Sequence, residues 1–519
     1  MPPVGHALAL RPRRTSVSGP FEGSSWEIGQ GVPRSPRSRA WRVDCDLISV
    51  TPVSSAAKPG VPATPVASGL ARSLMLTFVG SGLTLALNLV TGILAARLLG
   101  TEGRGELAAI SSLALTLSWA GALGFPEALT FLQSKWPAES DRIVGTAILG
   151  VVPLGVGTVL IAEALLPVAF AAQSARTLDH ARLFLLVLPA YIGLNCVWAL
   201  LSGHQRFGAL TASRVTQPLV FAITLGAMWA ADAFTVPGVL MALAGSYLLS
   251  FAAFGGWLPW SIGLGRPSLS VARTGLNYGL RMQGQTLGAL GSARLDLTLL
   301  PAFVAARELG FYAIAVSIAS MVVVLFGQLQ LVVFPVVARS TDSRGPALIS
   351  STLRLVLLAS TVVAIVLGVL APWLVTLVYG NEFAPAVRPL WLLLPGIVFW
   401  TATSIVASGL QAANKPGRAS TAQLVGFSVT VIGLLLTLPQ FGILGAAFTS
   451  TASYTLTFWL ALWLLHRHTG FPVRETFRLR QFGSDARWLA GRLRQVRQRS
   501  QRAANDDASS SDSAPDLLK

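Results

Sequence analysis

Charge is scarce in this chain. Asp, Glu, Lys and Arg make up 12% of its 519 residues, about half the share usual in soluble domains. Acid is scarcer still, with 22 Asp and Glu against 39 Lys and Arg. So few charges cannot solubilise a globule that is 53% hydrophobic, and the same composition excludes a disordered chain. Cysteine is nearly absent. Cys45 lies in a polar tail and Cys196 in a hydrophobic run, so no disulfide is expected. The five histidines are scattered without metal-ligand spacing. No G-x-x-x-x-G-K-[ST] occurs, so the chain holds no P-loop ATPase. No cofactor is expected. Long polar stretches between the apolar runs are missing too, which argues against an enzyme with catalytic acids on an outer loop.

What is present is apolar sequence in spanning lengths, about 20 residues per helix. Twelve runs qualify: 73–98, 105–126, 143–169, 181–202, 214–232, 236–260, 281–304, 310–337, 351–378, 386–410, 419–438 and 441–465. Lys and Arg in the short loops set the orientation. One set of loops holds twelve, among them Lys135, Arg142, Arg206, Arg273, Arg281, Arg354 and Lys415. The other holds five: Arg104, Arg176, Arg182, Arg307 and Arg388. The first set is expected in the cytoplasm, together with both termini. The net charge of +17 divides into +5 for residues 1–72, +7 for 73–466 and +5 for 467–519.

The tails differ from each other. Residues 1–72 are rich in Pro, Ser and Arg and lack an apolar signal segment. They read as a disordered cytoplasmic tail, or as sequence upstream of a true start near Val66 or Met75. In residues 467–519, Phe482, Ala486, Leu489, Leu493 and Val496 recur at helical steps among arginines. This predicts a basic amphipathic helix on anionic lipids, followed by a disordered end. No nucleic-acid partner is expected.

The chain also repeats itself. Gly105-Glu106-Leu107-Ala108 returns as Gly310-Phe311-Tyr312-Ala313, at an offset of 205. Ser202-Gly203-His204-Gln205 with Gln217 returns as Ser408-Gly409-Leu410-Gln411 with Gln423, at 206. Ser246-Tyr247-Leu248-Leu249-Ser250-Phe251 returns as Ser453-Tyr454-Thr455-Leu456-Thr457-Phe458, at 207. An even number of helices per repeat keeps both halves in one orientation. The expected fold is therefore all-α: a polytopic membrane protein of twelve transmembrane helices in two parallel six-helix lobes, 73–260 and 261–466, around a central cavity.

Polar groups inside the spans are expensive, which makes them candidates for the site. The seventh run carries Gln283, Gln285, Arg294 and Asp296. Eleven residues make about three turns, so Gln283 and Arg294 share one stripe and Gln285 and Asp296 another. Arg294 and Asp296 are then no simple pair, and each needs its own partner. Arg294 is the candidate for an anionic substrate group, with Gln283, Arg97 and Asn88 as further substrate contacts. Asp296, Gln285 and Glu127 are the candidates for coupling or gating.

Several segments resemble a known family. They are Leu98-Leu99-Gly100-Thr101-Glu102-Gly103-Arg104-Gly105; Arg294-Leu295-Asp296 followed by Glu308-Leu309-Gly310-Phe311-Tyr312-Ala313; Tyr379-Gly380-Asn381-Glu382-Phe383-Ala384; and Pro439-Gln440-Phe441-Gly442-Ile443-Leu444-Gly445. In order and spacing the chain is similar to polysaccharide (O-antigen type) flippases of the multidrug/oligosaccharidyl-lipid/polysaccharide exporter superfamily. The resemblance implies two six-helix lobes around a cationic cavity. It implies movement of a polyprenyl-pyrophosphate-linked oligosaccharide from the cytoplasmic to the outer leaflet of a bacterial inner membrane by alternating access, for polysaccharide or lipopolysaccharide biosynthesis. Arg294 and Arg97 would face the pyrophosphate, and H+ or Na+ would be the coupling ion at Asp296. Polysaccharide assembly proteins are the expected protein partners. A cation-coupled drug exporter of the same superfamily, or a polymerase or ligase of polysaccharide assembly, are the alternatives.

Overall fold

The structure, a computed structural model, describes residues 66–339, 344–413 and 415–476. All of these fall in one compact unit, and every regular element among them is helical. Residues 1–65 of the expected tail lie outside the described residues, and so does the expected amphipathic helix beyond residue 476. Residues 66–72, expected in the tail, form the first turns of a helix instead.

That helix, α1 (Val66–Gly121), joins the first two expected spans. It is broken at Gly100, whose φ of 69° and ψ of −172° only glycine adopts readily. After Leu123 and Gly124, both left-handed, the chain re-enters a helix, α2 (Phe125–Lys135), where a loop was expected. Its first turn carries a proline at a position that needs no amide donor. Next come α3 (Ser140–Ala169), α4 (Ala175–Leu185) and α5 (Leu188–Gly203). The pair α4 and α5 bends by 42° within one expected span. The first half closes with α6 (Phe207–Ala230) and α7 (Val236–Ile262), the latter capped by the Thr235 hydroxyl accepting from the Gly238 amide. The second half holds α8 (Leu269–Leu299), α9 (Ala306–Arg339), α10 (Arg344–Tyr379), α11 (Val387–Ala412) and α12 (Pro416–Thr469). A short α13 (Val473–Thr476) follows. Gly442, at φ 52°, breaks α12 where two expected spans meet.

The helices coincide with the expected runs, but the count of twelve spans does not carry over. Among the described residues seven helices are long and apolar enough to cross a membrane, or up to eight if the bent pair is one span. Two of them contain a pair of expected spans each. Another expected span, α8, carries Arg273, Arg281, Arg294 and Asp296 and does not qualify by composition.

Apolar stripes cover the outside of the bundle. Leu149, Val152, Val156 and Leu160 are exposed at helical spacing on α3, as are Val362, Ile365, Val369 and Trp373 on α10. In water this much exposed apolar surface would aggregate; against lipid it is the normal exterior. Small hydroxyl residues join the helices inside. Thr430 bonds Ser453 at 2.7 Å, Thr437 bonds Thr449 at 2.9 Å and Thr116 bonds Thr298 at 2.8 Å.

The two halves meet at the glycines that the repeat relates. A Cβ on Gly105 would fall on the carbonyl of Ala306, and one on Gly310 would fall on the carbonyl of Thr101. Thr101 and Ala306 are separated by the same offset of 205 as Gly105 and Gly310. The contact is thus reciprocal, as a two-fold relation between halves requires. Near it, Arg97 donates to the carbonyls of Leu377 and Val378 at the end of α10. Gln173 likewise donates to Pro301 and Val304 beyond the end of α8, at 3.0 and 2.7 Å. A second close approach, Gly124 against Gly279, joins the start of α2 to α8.

Gly105→Ala and Gly310→Ala should each lower the melting temperature of the purified protein, by about 1–3 kcal/mol of stability. Gly157→Ala, where an added Cβ meets nothing within 4 Å, should leave it unchanged or raise it.

Candidate functional site

The reciprocal glycine contact puts α1, α8 and α9 side by side, and a cavity of about 220 Å³ lies among them. Each wall is one helical face. Leu85, Asn88, Leu89 and Gly92 come from α1 before its break; Arg104, Ala108, Ser111, Ser112 and Leu115 come from α1 after it. Arg294 and Leu297 come from α8, and Ala313, Val316, Ser317, Ser320 and Met321 from α9. Opposite walls are repeat equivalents at the 205 offset: Ala108 with Ala313, Ser112 with Ser317 and Leu89 with Arg294. The cavity therefore sits on the axis relating the two halves.

Its charge is one-sided. Arg294 and Arg104 line it, and none of the described lining residues is Asp or Glu. Arg294 is half-buried, and its guanidinium makes no hydrogen bond or ion pair with any described residue. Arg104 reaches the Ser317 hydroxyl at 3.5 Å, and its buried Nε has no acceptor. The serines spend their protons on backbone carbonyls: Ser111 donates to Leu107, Ser317 to Ala313 and Ser320 to Ser317, while Ser112 reaches across to Leu297 of α8 at 2.9 Å. What remains for a guest is the two guanidiniums, which only donate, with the Asn88 amide and Tyr379 beside them. Guanidinium forks match phosphate oxygens and strengthen out of water, so the cavity is built for an anion.

Asp296, two residues from Arg294, does not line this cavity but borders an adjoining one together with Arg294. It is buried, and its Oδ2 accepts from Tyr312 of α9 at 2.5 Å and from Ser450 of α12 at 3.1 Å. Its Oδ1 accepts from the Leu297 amide at 2.7 Å. One carboxylate thus ties α8 to α9 and α12, while Arg294 faces the cavity. Gln283 also turns to α1, where its amide donates to the Trp119 and Ala120 carbonyls at 3.0 and 3.3 Å. That bond joins the halves and lies outside the cavity lining. Arg97, expected at the substrate, is not among the lining residues either and instead satisfies the last carbonyls of α10. Those carbonyls have no intrahelical donor and attract a cation. Glu127 is half-buried in the first turn of α2, beside the Gly124–Gly279 approach. Gln285 lies outside the residues whose side chains are described.

Arg104 is the residue that sequence reasoning missed. It was read as an outer-loop cation. The signal was in the spacing: Arg104, Ala108, Ser111 and Leu115 form one face of a helix that begins directly after Gly100.

A multi-pass helical bundle with a cationic cavity between related halves defines a class of membrane transporters, and known structures agree on the fold. A multidrug resistance MATE family transporter of the MOP superfamily, inward-facing, matches with a TM-score of 0.63 and 14% identity, over 76% of this chain and 96% of that one. The lipid II flippase MurJ, inward closed, matches with a TM-score of 0.64 and 13% identity, over 78% of this chain and 89% of that one. Residues 70–341 match the family of polysaccharide biosynthesis proteins, and the chain belongs to that family. A curated relative, the probable low-salt glycan biosynthesis flippase Agl15 of Haloferax volcanii, is 24% identical over 212 residues. That stretch is 40% of this chain and 44% of the relative, so the chain spans under half the relative's length.

Asp296→Ala should lower stability by about 1–3 kcal/mol, because it leaves the Tyr312 and Ser450 hydroxyls without their acceptor in the buried core. Ser450→Ala, which removes one donor of three, should cost less in the same melting measurement.

Proposed function

We propose that this protein is a flippase. It moves a polyprenyl-pyrophosphate-linked oligosaccharide from the cytoplasmic to the outer leaflet during cell-surface polysaccharide biosynthesis. The observation that carries this reading is the cationic cavity itself. The Arg294 guanidinium makes no ion pair or hydrogen bond with a described residue, and water or a ligand has to supply those bonds. A pyrophosphate is that partner, and it cannot cross about 30 Å of hydrocarbon alone. The family membership and the glycan flippase relative support the same substrate class.

In this reading residues 73–260 and 261–466 are two lobes that rock about the axis through Gly105 and Gly310. They expose the cavity first to one leaflet and then to the other. The protein moves its substrate without covalent chemistry and is no enzyme. It sits in a bacterial plasma membrane with both termini in the cytoplasm, as the loop cations argue. Arg104 and Arg294 hold the pyrophosphate from two different halves, so binding neutralises the charge that otherwise pushes those walls apart. Coupling to H+ or Na+ falls to Asp296. A proton or cation there competes with the Tyr312 and Ser450 hydroxyls and loosens α8 from α9 and α12. The drug-exporter reading finds less support, because a cationic drug would meet two arginines and no lining acid.

Arg294→Ala and Arg104→Ala should each abolish complementation of the deletion strain at wild-type protein levels. Arg294→Lys should restore part of it, since charge returns without the two-pronged geometry. Full activity of Arg294→Ala would remove the cavity model. Asp296→Asn should abolish the ion dependence of flipping in reconstituted vesicles, and unchanged ion dependence would discard the coupling role.

A further inference from the structure

A second cavity, of about 200 Å³, lies directly behind the first. It lies between α8, α9, α11 and α12, is open on the side of the exposed Val324, and shares Arg294, Val316 and Ser320 with the cationic cavity. Its character is different. Val323, Leu393, Ile397, Trp400 and the Tyr454 ring supply most of the wall. The rings of Trp400 and Tyr454 lie 4.8 Å apart, and the Tyr454 hydroxyl is turned away to donate to the Ser292 carbonyl at 3.2 Å. The acid in this wall, Asp296, has both oxygens engaged by Tyr312, Ser450 and the Leu297 amide. What a guest meets is an apolar, aromatic chamber that opens from the wall carrying the Arg294 cation.

We infer that this chamber takes the first isoprenoid units of the lipid whose pyrophosphate sits between Arg104 and Arg294. This rests on the flippase reading and deepens it. A lipid diphosphate is a charge joined to an apolar chain at one phosphate oxygen, so its binding site must change from cationic to apolar within a bond or two. Here that change occurs at Arg294, between two cavities that share a wall. The volume holds roughly seven water-sized groups, which is about one to two isoprene units. The remainder of the chain stays in the bilayer. The same surface fits a lipophilic cation poorly, because the Arg294 cation stands at the entrance. The chamber makes the carrier lipid, and not only the diphosphate, part of what is recognised.

The test uses the full chain in nanodiscs, with empty nanodiscs as the partition control. Calorimetric titration compares inorganic pyrophosphate, isopentenyl, geranyl and farnesyl diphosphates. Geranyl diphosphate should bind at least about tenfold tighter than pyrophosphate, and farnesyl diphosphate should add little more. Val323→Phe and Ile397→Phe, which fill the chamber, should each bring geranyl diphosphate to the affinity of pyrophosphate and leave pyrophosphate binding unchanged. No gain from the prenyl chain, a gain that survives both filling variants, or displacement of geranyl diphosphate by tetraphenylphosphonium would overturn the inference. Pyrophosphate binding without a prenyl gain removes this inference alone. Failure of all four diphosphates to bind removes the flippase reading with it.

Discussion

A guanidinium among membrane helices has to meet something. Removing it from water costs several kcal/mol, and a protein ordinarily answers with a carboxylate or with helix-end carbonyls. The chain gives that second answer for Arg97, which rests on the end of α10. It gives Asp296 three hydrogen-bond donors. For Arg294 it gives neither, although Asp296 lies two residues away on the same helix. The carboxylate is held instead by Tyr312, Ser450 and the Leu297 amide, without an ion pair to the cation. The lining of the first cavity holds two arginines and no acid among the described residues.

That arrangement depends on how the halves meet. Reciprocal backbone contact between Gly105 and Gly310 leaves no room for a side chain and sets α1 against α9. The cavity then opens below, between residues that are equivalents in the repeat. Duplication alone would make such a cavity symmetric. Arg294 opposite Leu89 is where it departs from symmetry, and Arg104 adds a second cation with no counterpart, since its equivalent at the same offset is Leu309. The departures from the repeat are what turn an axis into an anion site.

Much of this was legible in the sequence. Apolar runs placed the helices, because a spanning helix must be continuously apolar. Helical geometry on α8 separated Arg294 from Asp296; the structure gives them no ion pair, yet both border the second cavity. Other features were hidden. Loop cations are counted by sign, so Arg104 was assigned to topology although its helix begins just before it, after Gly100. The stretch after Pro126 was read as a loop because the apolar run ends there, yet the chain continues as α2 to Lys135. The destination of Arg97 depends on carbonyls 280 residues away, which no local pattern encodes. The apolar chamber is assembled from four helices by packing and has no motif.

The central claim is that the cavity carries a lipid-linked saccharide across the bilayer. Deletion of the gene, followed by leaflet-resolved analysis of polyprenyl-linked saccharides, tests it most directly. The account predicts that one such species accumulates on the cytoplasmic leaflet and disappears when the wild-type chain is restored. A deletion strain with no accumulated lipid-linked saccharide on either leaflet would contradict it.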